Sequence, residues 1–289
     1  MTEDAGTPID VSVVIPARNA TPTIGEQLDA LEGQTFSGSW EVIVVDNGSV
    51  DGTAETAARW SDRLPSLSIL TSAESRGLAC NTGSHAAKGR LIAYCDADDV
   101  VSKRWLADLV PVLERHTLAT GPIDLSSLNP PKLYTWRRKP GWQQLPRWMG
   151  FLVPVMGCNM GVRKEGFARV GGFDTTMSRG EDFDFAWRIQ LAGGTVGFAA
   201  DAVVHRRLRR GWPYFRSSVH YGVSDVELFL RFNEHGMRRR PVRGAARLGA
   251  AALGTPLILI PRYRYAWMGL AGVEAGRLKG SFSARTLFL

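Results

Sequence analysis

The sequence predicts an α/β fold, a sheet of buried strands flanked by helices, followed by a basic and mostly helical C-terminal region. Short β-branched runs alternate with helix-like stretches through the first hundred residues. The strand candidates are near-continuous apolar runs, as strands covered on both faces are. Charge divides between an acidic front and a basic tail.

In chain order, residues 11–15 (VSVVI) form an apolar run stopped by Pro16. Residues 23–34 place Ile24, Leu28 and Leu31 on one helical face. A second strand, 41–45 (EVIVV), ends at Asp46-Asn47-Gly48-Ser49, and a helix is expected over 53–60. A third strand at 67–70, a helix at 77–88 and a fourth strand at 91–95 lead straight into Asp96-Ala97-Asp98-Asp99. This rhythm implies parallel strands joined by right-handed crossovers, with ligands at the carboxyl ends of the strands, so Asp46 and the Asp96 cluster share a rim. After a helix near 102–116, residues 117–150 hold Pro122, Pro130, Pro131, Pro140 and Pro146 and read as a long functional loop outside the sheet. Order returns over 153–162 and 163–170, the turn at 171–174, a helix at 181–191 and a strand at 195–199. Beyond His205 the chain reads as helical, with breaks at Pro241, Pro256 and Pro261.

With 289 residues, 44% hydrophobic and 22% charged, composition excludes disorder, collagen and coiled coil. Cys80, Cys95 and Cys158 form no C-x-x-C pair, which speaks against a disulfide framework or zinc knuckle and for a reducing, cytoplasmic setting. The opening MTEDAGTPID lacks the apolar stretch of a secretory signal, and residues 1–9 are expected to be disordered. From residue 201 onward, 16 basic residues face 5 acidic ones, a balance of +11, leaving −4 for residues 1–200. No nucleic-acid-binding module accompanies this tail, so anionic lipid or an anionic acceptor is the expected partner; a merely solvated basic face is the alternative. Residues 248–260, thirteen in all, are too few to cross a bilayer, for which about twenty are needed. Flanked by arginines, they suit either an interfacial anchor on the cytoplasmic face of a membrane or a segment packed onto the catalytic domain or a second subunit.

Clustered carboxylates repel unless a cation lies among them, and hard divalent ions take oxygen ligands. Asp46, Asp96, Asp98 and Asp99 therefore point to a magnesium- or manganese-type ion that also holds phosphates; aspartates capping the following helix are the alternative. No G-x-G-x-x-G or Walker loop follows the first strand, which argues against a dinucleotide enzyme or a P-loop ATPase.

Six segments, VSVVIPARN (11–19), EVIVVDNGSVDGT (41–53), RGLACNTGSHAAKG (76–89), IAYCDADD (92–99), GCNMGVRKEGFARVGGFD (157–174) and GEDFDFAWRI (180–189), resemble the successive motifs of family 2 glycosyltransferases. The resemblance spans residues 10–205. It implies a GT-A-like fold with a Rossmann-type mixed sheet, and inverting transfer of a sugar from a nucleoside diphosphate sugar, UDP-sugar favoured, to a hydroxyl acceptor. On this likeness Pro16, Ala17 and Asn19 lie against the nucleoside, Asp46 contacts the base, and Asp51 shares that stretch. Asp96 and Asp98 match the DxD pair that serves ribose or phosphate and Mn2+ or Mg2+, Asp182 matches the general base, and His205 resembles a C-terminal histidine given to the metal. Arg76 would assist the leaving diphosphate.

A sugar hydroxyl is a poor nucleophile, so direct displacement needs a carboxylate within hydrogen-bond reach. For Glu181 and Asp182 the alternative is acids placed favourably in a helix's first turn. Glu181, Trp142 and Trp148 are assigned to the acceptor side, with loop packing as the alternative for the tryptophans. The expected organisation is a catalytic domain over 10–205, its nucleotide half about 10–100 and its acceptor half about 101–205, and a basic helical region over 206–289. A lipid-linked or cell-surface glycan is the expected acceptor. The rival readings are a nucleotidyltransferase, which would release pyrophosphate, and a catalytically silent nucleotide-sugar or membrane-surface binding protein.

Overall fold

The computed structural model describes residues 8–135, 143–239 and 241–288. Expectations for residues 1–7 and for Trp142 fall outside the described residues. The elements are β1 (Val11–Ala17), α1 (Ile24–Glu32), β2 (Trp40–Asp46), α2 (Thr53–Ala58), β3 (Leu67–Thr71), α3 (Arg76–Ala86), β4 (Leu91–Tyr94), β5 (Val100–Val101) and α4 (Trp105–Leu113). They continue with β6 (Leu118–Thr120), β7 (Ile123–Asp124), β8 (Met160–Arg163), α5 (Lys164–Arg169), α6 (Glu181–Leu191), β9 (Val196–Phe198), β10 (Val204–His205), α7 (Trp212–Phe232), α8 (Pro241–Leu253) and α9 (Pro261–Ser283).

Seven strands form the main sheet in the order β3-β2-β1-β4-β8-β6-β9. The first four are parallel, whereas β8 runs antiparallel to both β4 and β6, so the sheet is mixed. Alternate residues of the strands feed two apolar layers. Val13, Ile15, Val42 and Val44 pack with Ile24, Leu28 and Leu31 of α1 and with Trp105 and Leu109 of α4. Val14, Ile43, Val45 and Ile92 pack with Ala79 and Cys80 of α3 and with Phe185 and Ile189 of α6. Burial on both faces is why these strands read as apolar runs rather than as alternating ones.

The structure corrects the reading of 117–150 as loop outside the sheet. Residues of β6 sit between β8 and β9, buried throughout, and β7 joins a second sheet of order β5-β10-β7. Runs of two or three residues are too short to show a period, and their pairing partners are distant in sequence. Pro241 and Pro261 each open a helix instead of breaking one. A proline at the first helical position gives up an N–H that would have no partner there.

The tail packs α7 along α9 with their backbones in contact: a Cβ on Gly222 would come within 2.0 Å of the Val273 carbonyl oxygen. Arg277, buried between them, donates to Asp225 at 2.8 and 3.0 Å and to Glu274 at 3.1 Å, and Arg247 donates to the same Glu274 oxygen at 2.5 Å. Of the expected alternatives, packing of 248–260 onto the rest of this chain is not seen. Only Ala251 in this stretch is buried, while Leu253 and Leu259 are 86% and 79% exposed, as is Val242 at 83%. Among the described residues, no helix is long and apolar enough to cross a membrane.

Candidate active site

Parallel pairing in register ends β1 and β2 together, Ala17 opposite Asp46, and sends β4 to the same rim, where residues 95–99 follow Tyr94. The loops at this rim are tied to one another. Asn19, in the left-handed region at φ 49°, accepts at its side-chain oxygen from the Val50 N–H at 3.0 Å, and its own N–H donates to Ser49 Oγ at 2.9 Å. Asp46 accepts from the Ser49 N–H at 3.1 Å. Asp51 accepts from the Thr53 hydroxyl at 2.5 Å and from the Thr21 N–H at 3.1 Å, and these bonds, the Thr53 hydroxyl foremost, hold it below the usual carboxylate range. Its carboxylate is thus spent on joining the loops. Pro16 and Ala17 are buried at the strand end beneath them.

Arg76, the first residue of α3, is the hub of the site. One nitrogen donates to Asp96 at 2.7 Å and another to Glu181 at 2.9 Å, which ties the end of β4 to the start of α6. Glu181 is buried in that pair. Gly157 leaves room for this guanidinium: a Cβ would lie 2.6 Å from an Arg76 nitrogen and would displace it. Its N–H donates to Asp182 at 2.8 Å, and the Phe183 N–H donates to the other Asp182 oxygen at 2.9 Å. Burial, with the Glu181 charge added, pushes the Asp182 carboxyl up to about 6 although Arg76 offsets part of the rise. A carboxylate held by two amides and titrating near neutrality suits a general base. Trp148 packs edge-on against Phe183, the residue after Asp182, at 5.6 Å, at the border of the apolar cluster of Phe151 and Trp187; Trp142 lies outside the described residues.

The aspartates after β4 differ sharply in environment. Burial acts upward on Asp96, but Arg76, with Arg206 and Arg179 beyond it, outweighs this and keeps it below the usual range. Asp98 is raised by burial and by the Asp96 charge. Asp99 is raised well above the ordinary value by burial and by both neighbouring carboxylates. Its Oδ1 accepts from the Arg207 N–H at 2.8 Å, while its buried Oδ2 has no hydrogen-bond partner among the described residues. Ligand atoms of Asp96, Asp99 and Cys158 lie within 4.8 Å of one another. Crowded carboxylates with one orphaned buried oxygen fit a divalent cation.

His205 is not among those three residues. Its Nδ1 is 2.9 Å from Asp124 Oδ2, in the small sheet where β10 pairs it with Val100 and Asp124. Asp99 was read with the carboxylate cluster from the sequence, whereas Cys158 and Arg206 were not assigned to this site. Asp99 stood inside the D-A-D-D run, but Cys158 reaches the rim only because β8 pairs antiparallel with β4, Tyr94 opposite Met160.

Residues 12–171 match the family described as Glycosyl transferase family 2. The chain is 32% identical over 234 residues to glycosyltransferase AglE of Haloferax volcanii, covering 76% of this chain and 74% of that one. It is 30% identical over 238 residues to the pre-mycofactocin glycosyltransferase of Mycobacterium tuberculosis, spanning 77% of this chain and 48%, about half, of that relative. In structure it is similar to mannosyltransferase PcManGT from Pyrobaculum calidifontis, solved with GDP-Man and Mn2+, at a TM-score of 0.68 and 22% identity over 96% of this chain and 88% of that one. Family match, relatives and mixed seven-strand sheet agree: the chain is a glycosyltransferase, belongs to family 2 and has the GT-A fold.

Proposed function

We propose that this protein transfers a sugar from a nucleoside diphosphate sugar to an acceptor hydroxyl, with inversion and with the help of a divalent cation. The observation that carries this reading is Arg76, which joins Asp96 of the D-A-D-D run to Glu181 beside Asp182 and so couples a phosphate-and-cation rim to a candidate base. Asp96 and Asp98, with Asp99 and Cys158 beside them, would hold Mn2+ or Mg2+; His205 is the further ligand proposed from the C-terminal side. The cation, when bound, stabilises charge on the leaving diphosphate.

Asp182 takes the proton of the attacking hydroxyl. The Gly157 and Phe183 amides keep its carboxylate oriented, and one carboxylate suffices for a single displacement. Pro16, Ala17, Asn19 and Asp46 form the nucleoside side, with Asp51 fixing their loops, and Trp148 lies on the acceptor side. A UDP-sugar is the first donor to test, with GDP-mannose, bound in the Pyrobaculum enzyme, as its comparison. Residues 10–205 act as the catalytic domain in this account. The basic region over 206–289 holds the chain peripherally at the cytoplasmic face of a membrane through Val242, Leu253 and Leu259 and the neighbouring arginines, which suits a lipid-linked or cell-surface glycan acceptor. Thermal shift with a panel of donors, with and without Mn2+, tests the reading, since a ligand bound only by the folded state raises its melting temperature. Cation-dependent stabilisation by one nucleotide supports it; indifference to every donor refutes it.

A further inference from the structure

Helix α7 carries Trp212, Arg216 and His220 at successive four-residue spacings, so the three share one face. Lys279 of α9 joins this face, because α9 crosses α7 where Gly276 meets Val219 and Gly280 meets Val223 and Val226. Arg179 joins it from the other side: Gly180 rests against Ser224 of α7, and the Arg179 guanidinium lies 6.0 Å from the Tyr221 ring centre. Arg209 enters just ahead of the helix. Among the described residues, none of Arg179, Arg209, Arg216 and Lys279 has a carboxylate within ion-pair distance, whereas Arg76, Arg188, Arg231 and Arg277 all do.

These cations converge. His220 is held below its ordinary value by burial and then by Arg179, Lys279, Arg216 and Arg209. Arg179 and Arg209 act at longer range on Asp96 and Asp98, whereas Arg216 and Lys279 lie at the end of the stripe away from them; like charges gathered in excess of counter-charge repel, and a bound anion relieves the repulsion. The stripe also has a direction. Arg179 precedes Asp182 by one turn of chain, and Arg206, which donates to the Tyr221 hydroxyl at 3.4 Å, continues the line toward Asp96. At the far end Trp212, 63% exposed and stacked on Phe215, offers an apolar face one turn from Arg216.

We propose that this stripe seats a phosphate or diphosphate carried by the acceptor, with Trp212 against an adjoining apolar chain, so that the acceptor is a phosphate-linked lipid saccharide. The inference rests on the reading of Asp182 as the base for an acceptor hydroxyl. It assigns the acceptor's phosphate to residues separate from those that hold the donor's diphosphate. Arginine and lysine recognise phosphate by charge-assisted hydrogen bonds, and removing one such contact weakens binding by roughly tenfold or more.

The test uses the full chain with Mn2+ and saturating UDP or GDP, so that the donor side is occupied, and titrates geranyl diphosphate and geraniol calorimetrically. The wild-type protein should bind geranyl diphosphate at least about tenfold more tightly than geraniol. The double variant Arg216→Gln/Lys279→Gln should lose at least about tenfold for the diphosphate and little for the alcohol, while nucleotide still raises its melting temperature. Equal affinity for the two prenyl ligands, or a variant that binds the diphosphate as wild type does, overturns the inference. So does a variant that loses only its binding to phosphatidylglycerol vesicles, which would make the stripe a headgroup contact. If no nucleotide binds, the transfer reading fails by itself, and the same titration without nucleotide still decides the stripe.

Discussion

Replacing Asp182 by Asn separates the catalytic need for this carboxylate from its effect on folding. The carboxyl rises from its ordinary 3.8 to about 6 in the folded chain, chiefly through burial, a difference of roughly 3 kcal/mol against the ionised form. The native state therefore keeps a proton that the unfolded state releases, and stability falls as pH rises from about 4 to about 6. Asn cannot ionise, so the variant escapes that loss. It meets a smaller one: Gly157 and Phe183 both present N–H donors, and Asn has a single acceptor oxygen where Asp has two, a mismatch of about 1–2 kcal/mol. Above pH 7 the variant should be more stable than wild type by about 1–2 kcal/mol, a few degrees in melting temperature for a chain of this size. At pH 4 the advantage should be gone or reversed. Turnover should fall by about 10²- to 10⁴-fold, with donor affinity unchanged. Wild-type kcat/KM should rise with pH to a plateau above about 6, as the base of the free enzyme loses its proton. Melts at pH 4 and 8 with single-turnover kinetics check all of this. A variant less stable than wild type at pH 8, or one turning over within tenfold of it, would refute the reasoning.

Other outcomes are expected elsewhere in the chain. Asp98→Asn removes one of the crowded charges after β4 and should weaken Mn2+-dependent donor binding at least about tenfold, measured by calorimetry with and without chelator; full activity in excess chelator would contradict the assignment. Arg277→Met leaves Asp225 buried without its partner and Glu274 with Arg247 alone, and should destabilise the fold by about 3–5 kcal/mol in urea titrations. Gly222→Ala pushes a methyl against the Val273 carbonyl and should cost about 1–3 kcal/mol by forcing α7 from α9, read from the same titrations. Leu253→Glu/Leu259→Glu should abolish co-sedimentation with anionic vesicles while leaving melting temperature unchanged, because both side chains are exposed.

Legibility in the sequence followed burial and locality. The strands at 11–15, 41–45 and 91–95 announced themselves because both their faces are covered, and their parallel register then fixed the shared rim of Asp46 and Asp96. The reversal of β8 left no local mark, since its four residues pair antiparallel with strands far away in sequence; with it went the approach of Cys158 to Asp96. The same holds for β5, β7 and β10, each two residues long. Arg76 was visible as a basic residue near the rim, but not as the bridge between Asp96 and Glu181, a pairing that exists only once α3 and α6 begin side by side. Composition marked 248–260 as apolar; whether it was covered depended on how α8 and α9 pack.

The most direct measurement follows the nucleotide and the sugar together. Incubated with Mn2+ and the donor that shifts its melting temperature most, the protein should convert it, slowly with water or fast with acceptor, into a nucleoside diphosphate visible by 31P NMR. Early 1H spectra should show the sugar with its anomeric configuration inverted, and Asp182→Asn should show neither change. Release of pyrophosphate, or a product that retains the donor's configuration, would contradict the account.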